Sequence, residues 1–93
     1  MLWLSANLPT ILNSDAYLSG GAVFITWDEA AKGDGPIGMI ALSPFAKANG
    51  YQNSIRYTHG STLRTLQEIF GLTAFLGDAA NETDLSDLFS SFP

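Results

Sequence analysis

Cysteine is absent from the 93 residues, histidine occurs once, and lysine and arginine together number four. Without cysteine there is no disulfide, no thiol nucleophile and no thiolate metal site, and the redox compartment is left undetermined. The four cations, Lys32, Lys47, Arg56 and Arg64, stand singly against nine carboxylates, for a formal net charge of -5. That balance opposes binding to nucleic acid or to an anionic membrane surface, and no basic cluster offsets it locally. Long apolar runs are missing too. No stretch approaches the ~20 residues of a spanning helix. The opening Met1-Leu-Trp-Leu4 has neither the cationic region nor the continuous apolar run of a signal peptide.

What is present is apolar: 46% of residues are hydrophobic and only 14% charged, which places the chain away from the disordered class. A chain of this length makes one small domain and buries roughly 60 to 70% of its unfolded surface. So little charge on so small a body points to surface that something else covers, a partner or a second copy of the chain.

The pattern along the chain predicts mixed α and β structure. Asn7 to Tyr17 reads as a short helix with Asn7 as N-cap, Pro9 in its first turn, and Leu8, Ile11 and Leu12 on one face. Ser19-Gly20-Gly21 is a turn, and Ala22 to Trp27 a strand rich in β-branched and aromatic residues. Ala30 to Pro36 is a loop, and Ile37 to Leu42, nearly uncharged and stopped by Ser43-Pro44, reads as a strand buried on both faces. Phe45 to Arg56 is loop-like, with Asn49-Gly50 as a turn. Thr58 or Ser61 caps a helix through Phe70, in which Leu63, Leu66, Ile69 and Phe70 form an apolar stripe and Gly71 supplies the left-handed stop. Asn81 to Asp84 is a polar turn, and Leu85, Leu88 and Phe89 offer one more helical turn. This order argues for an α/β fold, although two strands do not make a sheet that stands alone.

Three residues stand out chemically. Asp28 and Glu29 close the first strand, where a rigid element holds carboxylates for work or where acidic residues simply end a strand and resist edge pairing. His59 sits at the entry to the long helix, as a surface or capping residue or as part of a site. Together the three make an O,O,N set suited to a divalent cation such as Zn, Mn or Mg, with a helix N-terminus nearby to favour an anion. Arg64 is positioned to reach a phosphate oxygen or to lie on the surface. Asp78, Asp84 and Asp87 read as solvated turn and cap residues. Ser61 and Thr62 read as capping residues, and without a second histidine nothing here offers an activated nucleophile.

The segments "LPTILNSDAY", "GAVFITWDE", "GPIGMIALSPFAK", "YTHGSTLRTLQEIFGL" and "DAANETDLSDLF", taken in order from about Leu8 to Phe89, resemble the C-terminal part of the bacterial phosphoesterase family. That family includes acid phosphatases and phospholipase C enzymes and belongs to the alkaline-phosphatase-like superfamily. The resemblance implies that residues 1–93 are one C-terminal segment of a catalytic domain, two core strands with flanking helices from an alkaline-phosphatase-like α/β sandwich. It implies metal-dependent hydrolysis of a phosphate ester, with Asp28 and Glu29 as metal ligands and His59 as a ligand or as the catalytic donor to the phosphate. Asp34 is a minor candidate in "AAKGDGPIG", where many members carry an Asp-His pair. The family's nucleophile and first metal pair belong to an N-terminal half outside this segment, so the chain is expected to be truncated and inactive alone. Family members are commonly exported, but the compartment of this chain stays open. The competing expectation is a non-catalytic α/β chain that self-associates into a homo-oligomer.

Overall fold

Two α-helices and a β-hairpin make up one half of the chain, and a single α-helix wrapped by irregular backbone makes up the other. The structure, a computed structural model, describes residues 2–33 and 35–92. It divides into two units, Met1–Pro44 and Phe45–Pro93.

In the first unit, α1 spans Leu2–Leu12 and α2 spans Asp15–Leu18. The expected single helix from Asn7 is therefore corrected: it begins five residues earlier in the sequence and is broken at Asn13-Ser14. Asn7 is not a cap, and its side-chain amide donates to the Trp3 carbonyl at 2.9 Å. Pro9 lies inside α1, where its own carbonyl still accepts from Asn13 N at 3.0 Å. The cap sits instead at Ser14, whose hydroxyl donates to Ile11 O at 2.6 Å and accepts from Tyr17 N at 3.3 Å. This pair of bonds ends α1 and starts α2 within one turn. Leu4, Leu8 and Leu12 share a face at helical spacing and are half-buried.

Strands β1 (Val23–Thr26) and β2 (Met39–Leu42) pair antiparallel, in the register Val23↔Leu42, Phe24↔Ala41, Ile25↔Ile40 and Thr26↔Met39. Both are shorter than the sequence pattern, and neither is buried on both faces: Ile40 is 52% exposed. Among the described residues each strand pairs only with the other, so each has an outer edge. Pairing starts after Gly38 because the Trp27 indole lies across Gly38, where any β-carbon would collide with the ring. Thr26 closes this end by donating to the Gly38 carbonyl at 2.7 Å. The result is mixed helical structure with one small two-stranded antiparallel sheet.

In the second unit, α3 spans His59–Ile69 with Thr58 as N-cap. Both expected cap residues are used: Ser61 N donates to Thr58 Oγ1 at 3.3 Å, and Thr58 N donates to Ser61 Oγ at 3.0 Å, a capping box. Gly71, at φ 71°, provides the left-handed residue after the helix. Asn49 and Gly50 are both left-handed, as their turn signal predicts. Beyond α3 come 3-10 helices at Gly77–Asn81 and Ser86–Leu88, and the C-terminal segment returns to pair Phe89 with Ala46.

The face that α3 buries is the opposite of the expected one. Ser61, Thr65 and Gln67 are buried, whereas Leu63, Leu66 and Phe70 are exposed, Phe70 by 76%. Only Ile69 of the expected stripe is half-covered. On this side α3 meets the irregular segment of residues 74–85, whose backbone polar groups take side-chain partners from the helix. Gln67 supplies two of them, donating to Ala74 O at 3.1 Å and accepting from Leu76 N at 3.1 Å. Thr65 accepts from Leu85 N at 2.9 Å. The buried apolar residues among those described are Ala79, Leu85 and Phe89, all in the wrapping segment.

Candidate functional site

Asp28 and Glu29 stand in the bend that follows Trp27, exposed and adjacent, two and three residues beyond the end of β1. The stacking of Trp27 on Gly38 gives that bend a fixed base, because the indole bridges the two arms of the hairpin just before the carboxylates. His59 is exposed and is the first residue of α3. The two carboxylates belong to the first unit and the imidazole to the second. Asp34 lies outside the described residues. Within either unit, no three described histidine or carboxylate side chains gather as a metal-holding group.

The α3 N-terminus already has anionic company. The Glu82 side chain packs on Gly60 so closely that a β-carbon there would lie 2.8 Å from Glu82 Cγ. A carboxylate beside the first turn is favoured by the helix dipole and by its unsatisfied N–H groups. Ser61, fully buried and committed to the capping box, is unsuited to nucleophilic attack, in line with its reading from the sequence.

Arg64 has partners within its own unit. Its Nε donates to Glu68 Oε2 at 3.1 Å and its Nη1 to Ala80 O at 2.9 Å and Glu82 O at 3.3 Å, while the guanidinium stacks 4.7 Å from the Phe75 ring centroid. The Nη1 contacts tie α3 to the wrapping segment. Such planar, multidentate use is what distinguishes arginine from a point charge.

Two polar clusters emerge that the sequence pattern does not announce. Asp87 is no mere solvated turn residue: it accepts from Tyr51 Oη at 2.5 Å, Asn53 Nδ2 at 2.7 Å and Lys47 Nζ at 3.4 Å, with Lys47 also 4.6 Å over the Tyr51 ring. The hydrogen bonds from Tyr51 and Asn53 hold the Asp87 carboxyl below its ordinary range, and the same bond to Asp87 raises the Tyr51 phenol. The second cluster pairs Glu68 with Asp84. Its hydrogen bond with Asp84, followed by burial, raises the Glu68 carboxyl. Burial pushes Asp84 upward as well, but hydrogen bonds with Glu68 and Ser86 outweigh it and hold Asp84 low. Asp84 also caps the following turn as its sequence position suggests, accepting from Ser86 N at 3.0 Å and Ser86 Oγ at 2.6 Å. The Asp87 contacts join residues 34 to 40 positions apart, a separation at which no local motif signals the pairing.

An open groove of about 400 Å³ runs along Gln67, Gly71, Leu72, Thr73, Ala74 and Leu76, without a titratable group. No described helix is long and apolar enough to cross a membrane. No protein-family model, curated protein or solved structure matches the chain.

Proposed function

We propose that this chain supplies the C-terminal, metal-binding segment of a phosphate ester hydrolase of the acid phosphatase and phospholipase C type, within an alkaline-phosphatase-like α/β sandwich. The observation that carries this reading is the ordered set of segments from "GAVFITWDE" through "YTHGSTLRTLQEIFGL". The adjacent, exposed carboxylates of Asp28 and Glu29 fit a hard divalent cation as oxygen donors. His59 joins them in the completed enzyme, as a third ligand or as the donor that stabilises charge and protonates the departing alkoxide. A divalent cation, when bound, supplies Lewis-acid polarisation of the phosphoryl oxygens. The exposed stripe of Leu63, Leu66 and Phe70 supports packing against further elements of such a domain.

Activity toward a chromogenic phosphate ester tests the reading, with and without Zn, Mn or Mg, and with an N-terminal half of a family phosphoesterase added in trans. The chain alone is expected to be inactive, since Ser61 is buried and the single histidine leaves no separate base. The supplemented chain is expected to turn over substrate, and Asp28→Ala or His59→Ala to abolish turnover. Turnover by the pure chain would refute the missing-nucleophile argument. Failure of the supplemented chain, together with no calorimetric metal binding that depends on Asp28 and Glu29, would refute the hydrolase reading.

A second reading is a non-catalytic chain that self-associates. The observation favouring it is that among the described residues β1 and β2 pair only with each other while the α3 stripe is exposed, which leaves strand edges and an apolar face for a second copy.

A further inference from the structure

Asn49 and Gly50 form an exposed turn between Lys47 and Tyr51, and both are left-handed, at φ 63° and 67°. Asparagine is among the thermolabile residues, because the next residue's amide nitrogen can attack its side-chain carbonyl carbon. Glycine in the next position leaves that nitrogen unscreened, and a β-carbon built on Gly50 would meet nothing within 4 Å. The attack also requires that neither the asparagine carboxamide nor the following amide is held in a hydrogen bond.

The chain has five asparagines, and four are held. Asn7 donates from its carboxamide to Trp3 O at 2.9 Å. Asn13 is followed by Ser14 N, which donates to Ile11 O at 3.1 Å. Asn53 uses both ends of its carboxamide: Nδ2 donates to Asp87 Oδ2 and Tyr57 Oη, and Oδ1 accepts from Ile55 N. Asn81 is followed by Glu82 N, which donates to Ala79 O at 3.2 Å. At Asn49, neither the carboxamide nor the Gly50 amide has a hydrogen-bond partner among the described residues.

We propose that Asn49 is a site of self-modification, in which Gly50 N attacks Asn49 Cγ, ammonia leaves, and water opens the resulting succinimide to aspartate or isoaspartate.

In the first step the N–Cγ bond replaces the Cγ–Nδ2 bond, and Nδ2 departs as ammonia with the proton that Gly50 N gives up. In the second, water adds to one of the two ring carbonyls. Cleavage of the new N–Cγ bond gives aspartate, and cleavage of the original peptide bond gives isoaspartate, whose backbone runs through Cβ and Cγ. No electrons are transferred, and water is the sole co-reactant. The product lies between two residues that reach Asp87, Lys47 at 3.4 Å and Tyr51 at 2.5 Å. An inserted methylene therefore changes the spacing on which that cluster depends.

The test follows every asparagine of the full chain at once, so no variant has to fold. The protein is incubated at physiological temperature and mildly alkaline pH, in buffer and in urea, and mapped by peptide mass spectrometry with fragmentation that separates aspartate from isoaspartate. In buffer, Asn49 is expected to convert at least an order of magnitude faster than Asn13 or Asn53, with isoaspartate among its products. Urea is expected to speed Asn13 and Asn53, by freeing their held groups, and to change Asn49 little. An Asn49 rate no greater than that of Asn13 or Asn53 in buffer would overturn the proposal. So would aspartate as the sole product, which marks direct hydrolysis, or a severalfold acceleration of Asn49 in urea, which would mean that the fold shields it.

Discussion

A threonine hydroxyl that donates one hydrogen bond and accepts another is not replaceable by a methyl group, even one of the same shape. Thr65 Oγ1 donates to Ser61 O at 2.8 Å within α3 and accepts from Leu85 N at 2.9 Å across the unit, at zero exposure. Thr65→Val keeps the volume but leaves the buried Leu85 amide without an acceptor, which costs about 1–3 kcal/mol. Thr65→Ser keeps the acceptor and is expected to recover most of that loss. Urea denaturation midpoints of the two variants check this, and a Val variant as stable as the wild type would mean that Leu85 N finds another acceptor. Asp87 plays a comparable joining role in a wetter setting. Its side chain and that of Lys47 are each 36% exposed, so their ion pair is screened by salt and the hydrogen bonds from Tyr51 and Asn53 define the contact.

At the scale of the element, α3 separates amphipathic pattern from actual burial. Its leucines follow a helical period, yet the wrapping segment meets the polar side because irregular backbone needs hydrogen-bond partners more than it needs methyl groups. This predicts an inverted mutational profile. Phe70→Gln removes a side chain that is 76% exposed and is expected to shift stability by no more than about 0.5 kcal/mol. Leu85→Ala, at a site 1% exposed, is expected to cost about 2–5 kcal/mol. Thermal or denaturant unfolding of both variants decides the point; equal losses would mean that the stripe is packed in solution. The hairpin shows a related asymmetry. Gly38 matters there for the indole that lies on it, which positions the approach to Asp28 and Glu29.

At the scale of the whole molecule, apolar surface exceeds what the chain itself covers. Leu63, Leu66 and Phe70 on α3, Leu72 and Leu76 after it, and Trp27 and Ile40 in the hairpin are all exposed. A net charge of -5 opposes contact between copies, and salt weakens that repulsion. The chain is therefore expected to bind a hydrophobic dye or to associate, more strongly at high salt, and Phe70→Gln is expected to reduce either response. Light scattering across a salt series, paired with dye fluorescence, measures both. A monodisperse monomer that ignores the dye and unfolds in one steep transition would show that 93 residues of this sequence cover their own surfaces.

What the sequence determined by itself was local. The capping box of Thr58 and Ser61, the left-handed Asn49, Gly50 and Gly71, and the approximate positions of both strands depend on residues within a turn of one another. Side-chain size, backbone freedom and the reach of a hydroxyl to an amide three residues away suffice to set them. Asp28, Glu29 and His59 were legible as exposed polar residues at element ends, where their neighbours alone place them. The tertiary structure decided the rest. The antiparallel pairing of β1 with β2, the buried polar face of α3, the use of Arg64 as a structural clamp and the gathering of Tyr51, Asn53 and Lys47 on Asp87 all depend on partners brought from distant positions. Local periodicity shows that a helix has two faces; which one is buried depends on whether the chain that returns to it brings side chains to pack or backbone groups to satisfy.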